Sequence, residues 1–200
     1  MTNLSMSLVN ALYNLQLMKI AGENGVAAYG AVMYVNFIFV ATFLGYAIGC
    51  APVISYHYGA GNHAELKNLY KKSMSIILVW GVILFGAAQL LAPVLSKIFV
   101  GYNTGLYAMT LHGFRVYAIA FLIIGINIFG SSFFTALNNG LISAVISFLR
   151  TLMFQVIMVL TLPLWFGING IWSAISVAEA LTLIMTTTFF VRQKDKYHYL

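Results

Sequence analysis

Ser73-Met-Ser-Ile-Ile-Leu-Val-Trp-Gly-Val-Ile-Leu-Phe-Gly-Ala-Ala-Gln-Leu-Leu-Ala-Pro-Val-Leu-Ser96 contains no Asp, Glu, Lys or Arg. A helix needs about 20 mostly apolar residues to cross a bilayer, and this run has both the length and the composition. Charge is also missing from Asn24 to Ala64, from Val116 to Leu149 and from Thr151 to Ala178. Four such stretches in 200 residues leave too little polar surface to cover a core in water. The sequence reads as an integral membrane protein. Only helices and closed barrels satisfy backbone polar groups in hydrocarbon. These runs are too long, and alternate too little, for barrel strands, so the expected class is all-α.

Composition agrees. Hydrophobic residues make up 62% of the chain and charged residues 7%, against about 25% charged in soluble domains; the mean hydropathy is +0.92. A formal charge of +6 would suggest nucleic acid for a soluble protein. In a membrane protein the basic residues anchor loops and set orientation, so no nucleic-acid partner is expected. The single cysteine, Cys50, sits in an apolar run, which allows no intrachain disulfide and suggests no metal cluster. The first segment lacks the basic start of a signal peptide, and Asn10, Asn14 and Gln16 interrupt its apolar part.

Outward from the 73–95 span, the punctuation predicts six transmembrane helices forming one unit over residues 1–200: about 3–20, 26–56, 73–95, 106–137, 141–165 and 171–191. Lys19–Gly25 reads as a short polar turn, Asn138-Asn-Gly140 as a tight turn needing positive φ, and Phe166–Gly170 as another. Spans 26–56 and 106–137 exceed the bilayer and must tilt, bend or project. Gly45, Gly49 and Pro52 offer a bend in one, Gly125 and Gly130 in the other; Gly45-x-x-x-Gly49 also suits a close helix contact. With six spans both termini share a side with Lys67, Lys71, Lys72, Arg192, Lys194 and Lys196, against Lys19 and Lys97 opposite. That balance predicts cytoplasmic termini. Arg115 is expected near enough to the outer face to snorkel.

Ala51-Pro-Val-Ile-Ser-Tyr-His-Tyr-Gly-Ala-Gly-Asn62 closes the second span and leads into an amphipathic stretch, His63–Lys72. Gly59-Ala-Gly61 ends a helix. Asn62 caps the next one with Glu65 at capping-box spacing, giving a short surface helix with Leu66, Leu69 and Tyr70 as its apolar edge. His57 and His63 read as interfacial polar residues rather than metal ligands. This segment resembles the motif that closes the second helix of each half in the multidrug and toxic compound extrusion (MATE) family. In that family's second half, Phe133–Asn138 resembles the end of the fourth helix, Phe148-Leu-Arg-Thr-Leu-Met-Phe-Gln155 the start of the fifth, and Leu164-Trp-Phe-Gly-Ile-Asn-Gly-Ile-Trp172 the last turn of the fifth and the entry to the final helix.

The resemblance implies one six-helix lobe of a transporter that exports amphiphilic, often cationic compounds in exchange for protons or sodium ions at the plasma membrane, with no other cofactor. It covers only the second lobe. Alternating access needs two bodies that rock against each other, so the expected partners are the bilayer, small-molecule drugs, and either a missing N-terminal lobe or a second copy as a homodimer. The rival expectation is a non-transporting membrane subunit or an inactive remnant. No H-E-x-x-H or G-x-S-x-G pattern occurs, so an enzyme is not expected.

Ionisable residues inside a span are functional candidates by default. Arg150 lies roughly 14 Å and Glu179 roughly 20 Å from the cytoplasmic ends of their helices at 1.5 Å per residue. A structural ion pair and proton coupling through Glu179 are both open. Asn10 with Asn14, Asn36 with Met33 and Phe43, and Asn127 with Ser131 each share a helix face. Those faces either hydrogen-bond between helices or line a cavity for flat, apolar drugs. In the family the cavity face of this lobe comes largely from its first, second and fourth helices. Cation-coupled members place carboxylates in the first and fourth; here neither span has an Asp or Glu.

Overall fold

The computed structural model describes the backbone of residues 2–200 and the side chains of residues 5–200. Every regular element among the described residues is a helix. α1 runs Thr2–Gly59, α2 His63–Val100, α3 Thr104–Tyr117, α4 Phe121–Ala136, α5 Gly140–Phe148, α6 Phe154–Phe166 and α7 Ile168–Tyr197. A 3-10 turn, Ala118–Ala120, joins α3 to α4, and a π turn, Leu149–Met153, joins α5 to α6. Five continuous helical stretches are therefore long and apolar enough to cross a membrane.

This revises the six separate spans. No loop divides the first two, because Lys19–Gly25 stays helical except at Gly22. There φ is +62° and ψ −152°, a conformation open to glycine and closed to residues with a Cβ. That single residue turns the chain back. The Tyr13 and Tyr29 rings stack with centroids 5.1 Å apart, whereas 16 residues of straight helix would separate them by about 24 Å. α1 is thus a closed hairpin of two limbs, residues 2–21 and 23–59.

The remaining boundaries follow local chemistry. Asn62, Asn103 and Asn139 cap α2, α3 and α5, each side chain accepting from the N–H three residues on. Asn138 takes the expected positive φ, +59°. His63–Lys72 is not a separate surface helix but the first turns of α2. Its apolar edge, Leu66 and Tyr70, is buried against the protein while Lys67, Lys71 and Lys72 stay exposed.

α4 is the central rod, in contact with α1, α2, α5 and α7. Its glycines serve close packing, not bending. A Cβ on Gly125 would run into the Phe43 ring, and one on Gly130 would run into Thr186 Cγ2. The α-helical pattern is interrupted earlier, at the 3-10 turn Ala118–Ala120, and just before it Gln89 Nε2 on α2 donates to Arg115 O at 3.0 Å. Gly45 and Gly49 face open space, so their close contact is not made within this chain. Beneath α4, Tyr70, Phe133, Phe134, Phe190 and Tyr199 interlock, with Phe133 and Tyr199 centroids 4.9 Å apart.

Candidate functional site: a membrane-depth cavity beside an ion pair

The two limbs are joined at Gly22 and touch again through the Tyr13–Tyr29 stack, and side chains of both line a cavity of about 740 Å³. The first limb contributes Met6, Val9, Asn10, Tyr13 and Asn14, and the second Tyr29, Met33, Tyr34, Asn36, Phe37 and Val40. Tyr117 and Ile124 reach it from α3 and α4. Its inner wall is polar: Arg150 and Thr151 from the π turn, Gln155 from α6 and Glu179 from α7. The walls therefore come mainly from the two limbs of α1, with the fourth span supplying little and the last two supplying the charged groups.

At the inner wall Arg150 Nε donates to Glu179 Oε1 at 2.8 Å and to Oε2 at 3.1 Å. Asn127 Nδ2 donates to Glu179 Oε2 at 2.7 Å and to the Glu179 carbonyl at 2.9 Å. Glu179 is 1% exposed. Each side-chain oxygen of Glu179 thus has a donor, as a buried polar group requires. Asn127 Oδ1 is left buried without a partner. The π turn helps bring Arg150 here: a widened turn takes in an extra residue, and each residue rotates a helix face by about 100°.

A second polar chain crosses the hairpin. Tyr29 Oη donates to Asn10 Oδ1 at 3.0 Å and Tyr13 Oη to Gln155 Oε1 at 3.1 Å. These hydrogen bonds tie both limbs of α1 to each other and to α6.

Of the residues singled out in the sequence, Asn10, Asn14, Met33, Asn36, Arg150 and Glu179 line the cavity. Phe43, Asn127 and Ser131 do not. Phe43 packs on Gly125 and borders a smaller groove of about 180 Å³ beside Trp80. Asn127 lies behind Glu179. Ser131 bonds Ser143 and Ser147 Oγ at 2.9 and 2.7 Å, joining α4 to α5. Sequence reasoning missed Tyr13, Tyr29 and Gln155. Tyr13 falls one residue before Asn14 in a segment that also carries Asn10 and Gln16, and Gln155 closes the Phe148–Gln155 motif; both were visible as polar tips in apolar runs. Among the described residues no group of three or more His, Cys, Asp or Glu is placed to hold a metal ion.

The lobe matches solved transporters closely in shape. An outward-facing multidrug resistance MATE family transporter of the MOP superfamily superposes with TM-score 0.90 at 20% identity, over 100% of this chain and 45% of that one. An inward-facing form superposes with TM-score 0.86 at 21% identity, over 97% and 46%. A MOP superfamily transporter from Pyrococcus furiosus gives TM-score 0.87 at 20% identity, over 96% and 43%. The chain thus spans a little under half the length of these proteins. No curated protein matches the sequence. The family model described as MatE matches residues 1–161, four-fifths of the chain, and the chain belongs to the MatE family.

Proposed function

We infer that this chain is the C-terminal-type lobe of a multidrug efflux antiporter. The observation that carries this reading is the cavity at membrane depth, walled by aromatic, Met and amide side chains and backed by a buried ion pair, in a fold shared with transporters. The reading has six segments crossing the bilayer, the two limbs of α1 counting separately, with both termini cytoplasmic. Asn10, Asn14, Met33 and Asn36 contact an amphiphilic substrate. Its other half comes from an N-terminal lobe or a second copy. The lobe's likeness to both an outward-facing and an inward-facing transporter supports rocking as a rigid body.

Glu179 is the coupling residue in this reading. It is the carboxylate of the cavity wall, and its engagement with Arg150 and Asn127 changes when it takes up a proton.

The test is transport in proteoliposomes loaded with a fluorescent amphiphile, with the chain either cross-linked as a dimer or co-expressed with a companion lobe. Movement driven by an imposed proton or sodium gradient, abolished by Glu179→Gln, is the expected result. No gradient-driven movement in either assembly would leave a non-transporting membrane subunit. Reporter fusions at Lys71 and Lys194 should fall on one side of the membrane, and labelling from opposite sides would reject the orientation.

A further inference from the structure

The polar groups of the cavity are not neutral in what they offer a ligand. Asn10 and Gln155 each spend the amide oxygen inside the protein, accepting from Tyr29 and Tyr13, and keep the amide N–H groups free. Arg150 uses only Nε on Glu179. Its Nη nitrogens carry no hydrogen bond from the described residues, while the side chain keeps 16% of its surface open. On the same inner wall both Glu179 oxygens are occupied; the amide of Asn14, unpaired among the described residues, lies on the opposite wall, on the first limb of α1. Around Arg150 the wall therefore presents mainly donors.

Its charge is also closed. Arg150 and Glu179 cancel, and no other lining residue is charged. An organic cation entering here meets no carboxylate with a free oxygen. A carboxylate meets a guanidinium already neutralised, and would set a second anion beside Glu179. In a low-dielectric cavity either ion loses hydration without full repayment by a counter-charge. An uncharged carbonyl meets donors and adds no net charge.

We propose that this cavity takes uncharged amphiphiles with a hydrogen-bond-accepting head group, such as a carboxamide, whose carbonyl oxygen is anchored by the Nη edge of Arg150 and by the amides of Asn10 and Gln155. This rests on the transport reading above and supplies its substrate class. Tyr13, Tyr29, Met33 and Phe37 hold the apolar part.

The test uses the full chain in lipid nanodiscs and three probes sharing one dansylated undecyl chain. They end in N,N-dimethylcarboxamide, carboxylate or trimethylammonium. The expected result is amide binding at least about tenfold tighter than the ammonium and tighter than the carboxylate. Arg150→Met combined with Glu179→Gln removes the anchor without leaving a buried charge. It should weaken the amide by about tenfold and leave the ammonium unchanged. Ammonium binding equal to or tighter than amide overturns the proposal, and carboxylate binding tightest replaces the uncharged class with an anionic one. If no probe binds, the cavity reading itself falls. The wild-type series decides the matter even if the double variant does not fold.

Discussion

The aromatic cluster around Phe133 and the cavity between the limbs of α1 are built from similar residues, yet one is closed and the other open. In the cluster Tyr70, Phe133, Phe190 and Tyr199 fill space from α2, α4, α7 and the C-terminal tail, and glycines on α4 let the neighbouring helices approach. At the cavity Tyr13 and Tyr29 stack on each other, and the space beyond them is left empty and ringed by amides. Lipid offers no hydrophobic drive to close such a gap, since a tail is as apolar as Leu. The closed region therefore depends on shape. The open one depends on hydrogen bonds that tie its walls to one another in register.

Substitutions at four positions would break or sharpen that contrast. The largest effect is expected at Glu179→Ala, which leaves the Arg150 guanidinium without its counter-charge and should cost about 4 kcal/mol. Glu179→Gln, which still accepts from Arg150, should cost far less; equal thermal midpoints for the two variants would show that the pair holds nothing. Next comes Tyr199→Ala in the closed region, at about 3 kcal/mol. Unfolding followed by the near-ultraviolet signal of the aromatic cluster checks it, and an unchanged midpoint would remove the tail from the core. Gly130→Val, which drives a side chain into Thr186 and Phe190, should cost about 2 kcal/mol. Its readout is the fraction surviving as a single species in gel filtration. The smallest effect is Tyr13→Phe, which keeps the stack and loses the bond to Gln155, at about 1 kcal/mol. It should alter amide-probe binding more than stability; the reverse ranking would make Tyr13 a packing residue only.

The sequence discloses depth better than rotation. Charge-free runs locate the helices in the membrane, and Asn62, Asn138 and Gly61 mark turns where the chain makes them. Depth along the axis brought Arg150 and Glu179 within reach of each other. The facing of a helix is harder to read, because an amphipathic stripe needs a polar side for contrast and these helices are apolar all round. Hence Phe43, Asn127 and Ser131 share faces with true lining residues in the sequence pattern but point into packed interfaces. The π turn adds to the difficulty by rotating everything beyond it away from the 3.6-residue count. Gly22 escaped for another reason. A reversal made by one residue leaves no loop composition, only a glycine among Lys19 and Glu23, which read as an ordinary polar turn.

That glycine also limits how the two limbs can move. Because the reversal consumes no linker, neither limb can slide along its axis without pulling on the other. Lys19 and Glu23 bracket the vertex, so a charge of each sign travels with it, and such a neutral pair is the least costly arrangement of charge beside hydrocarbon.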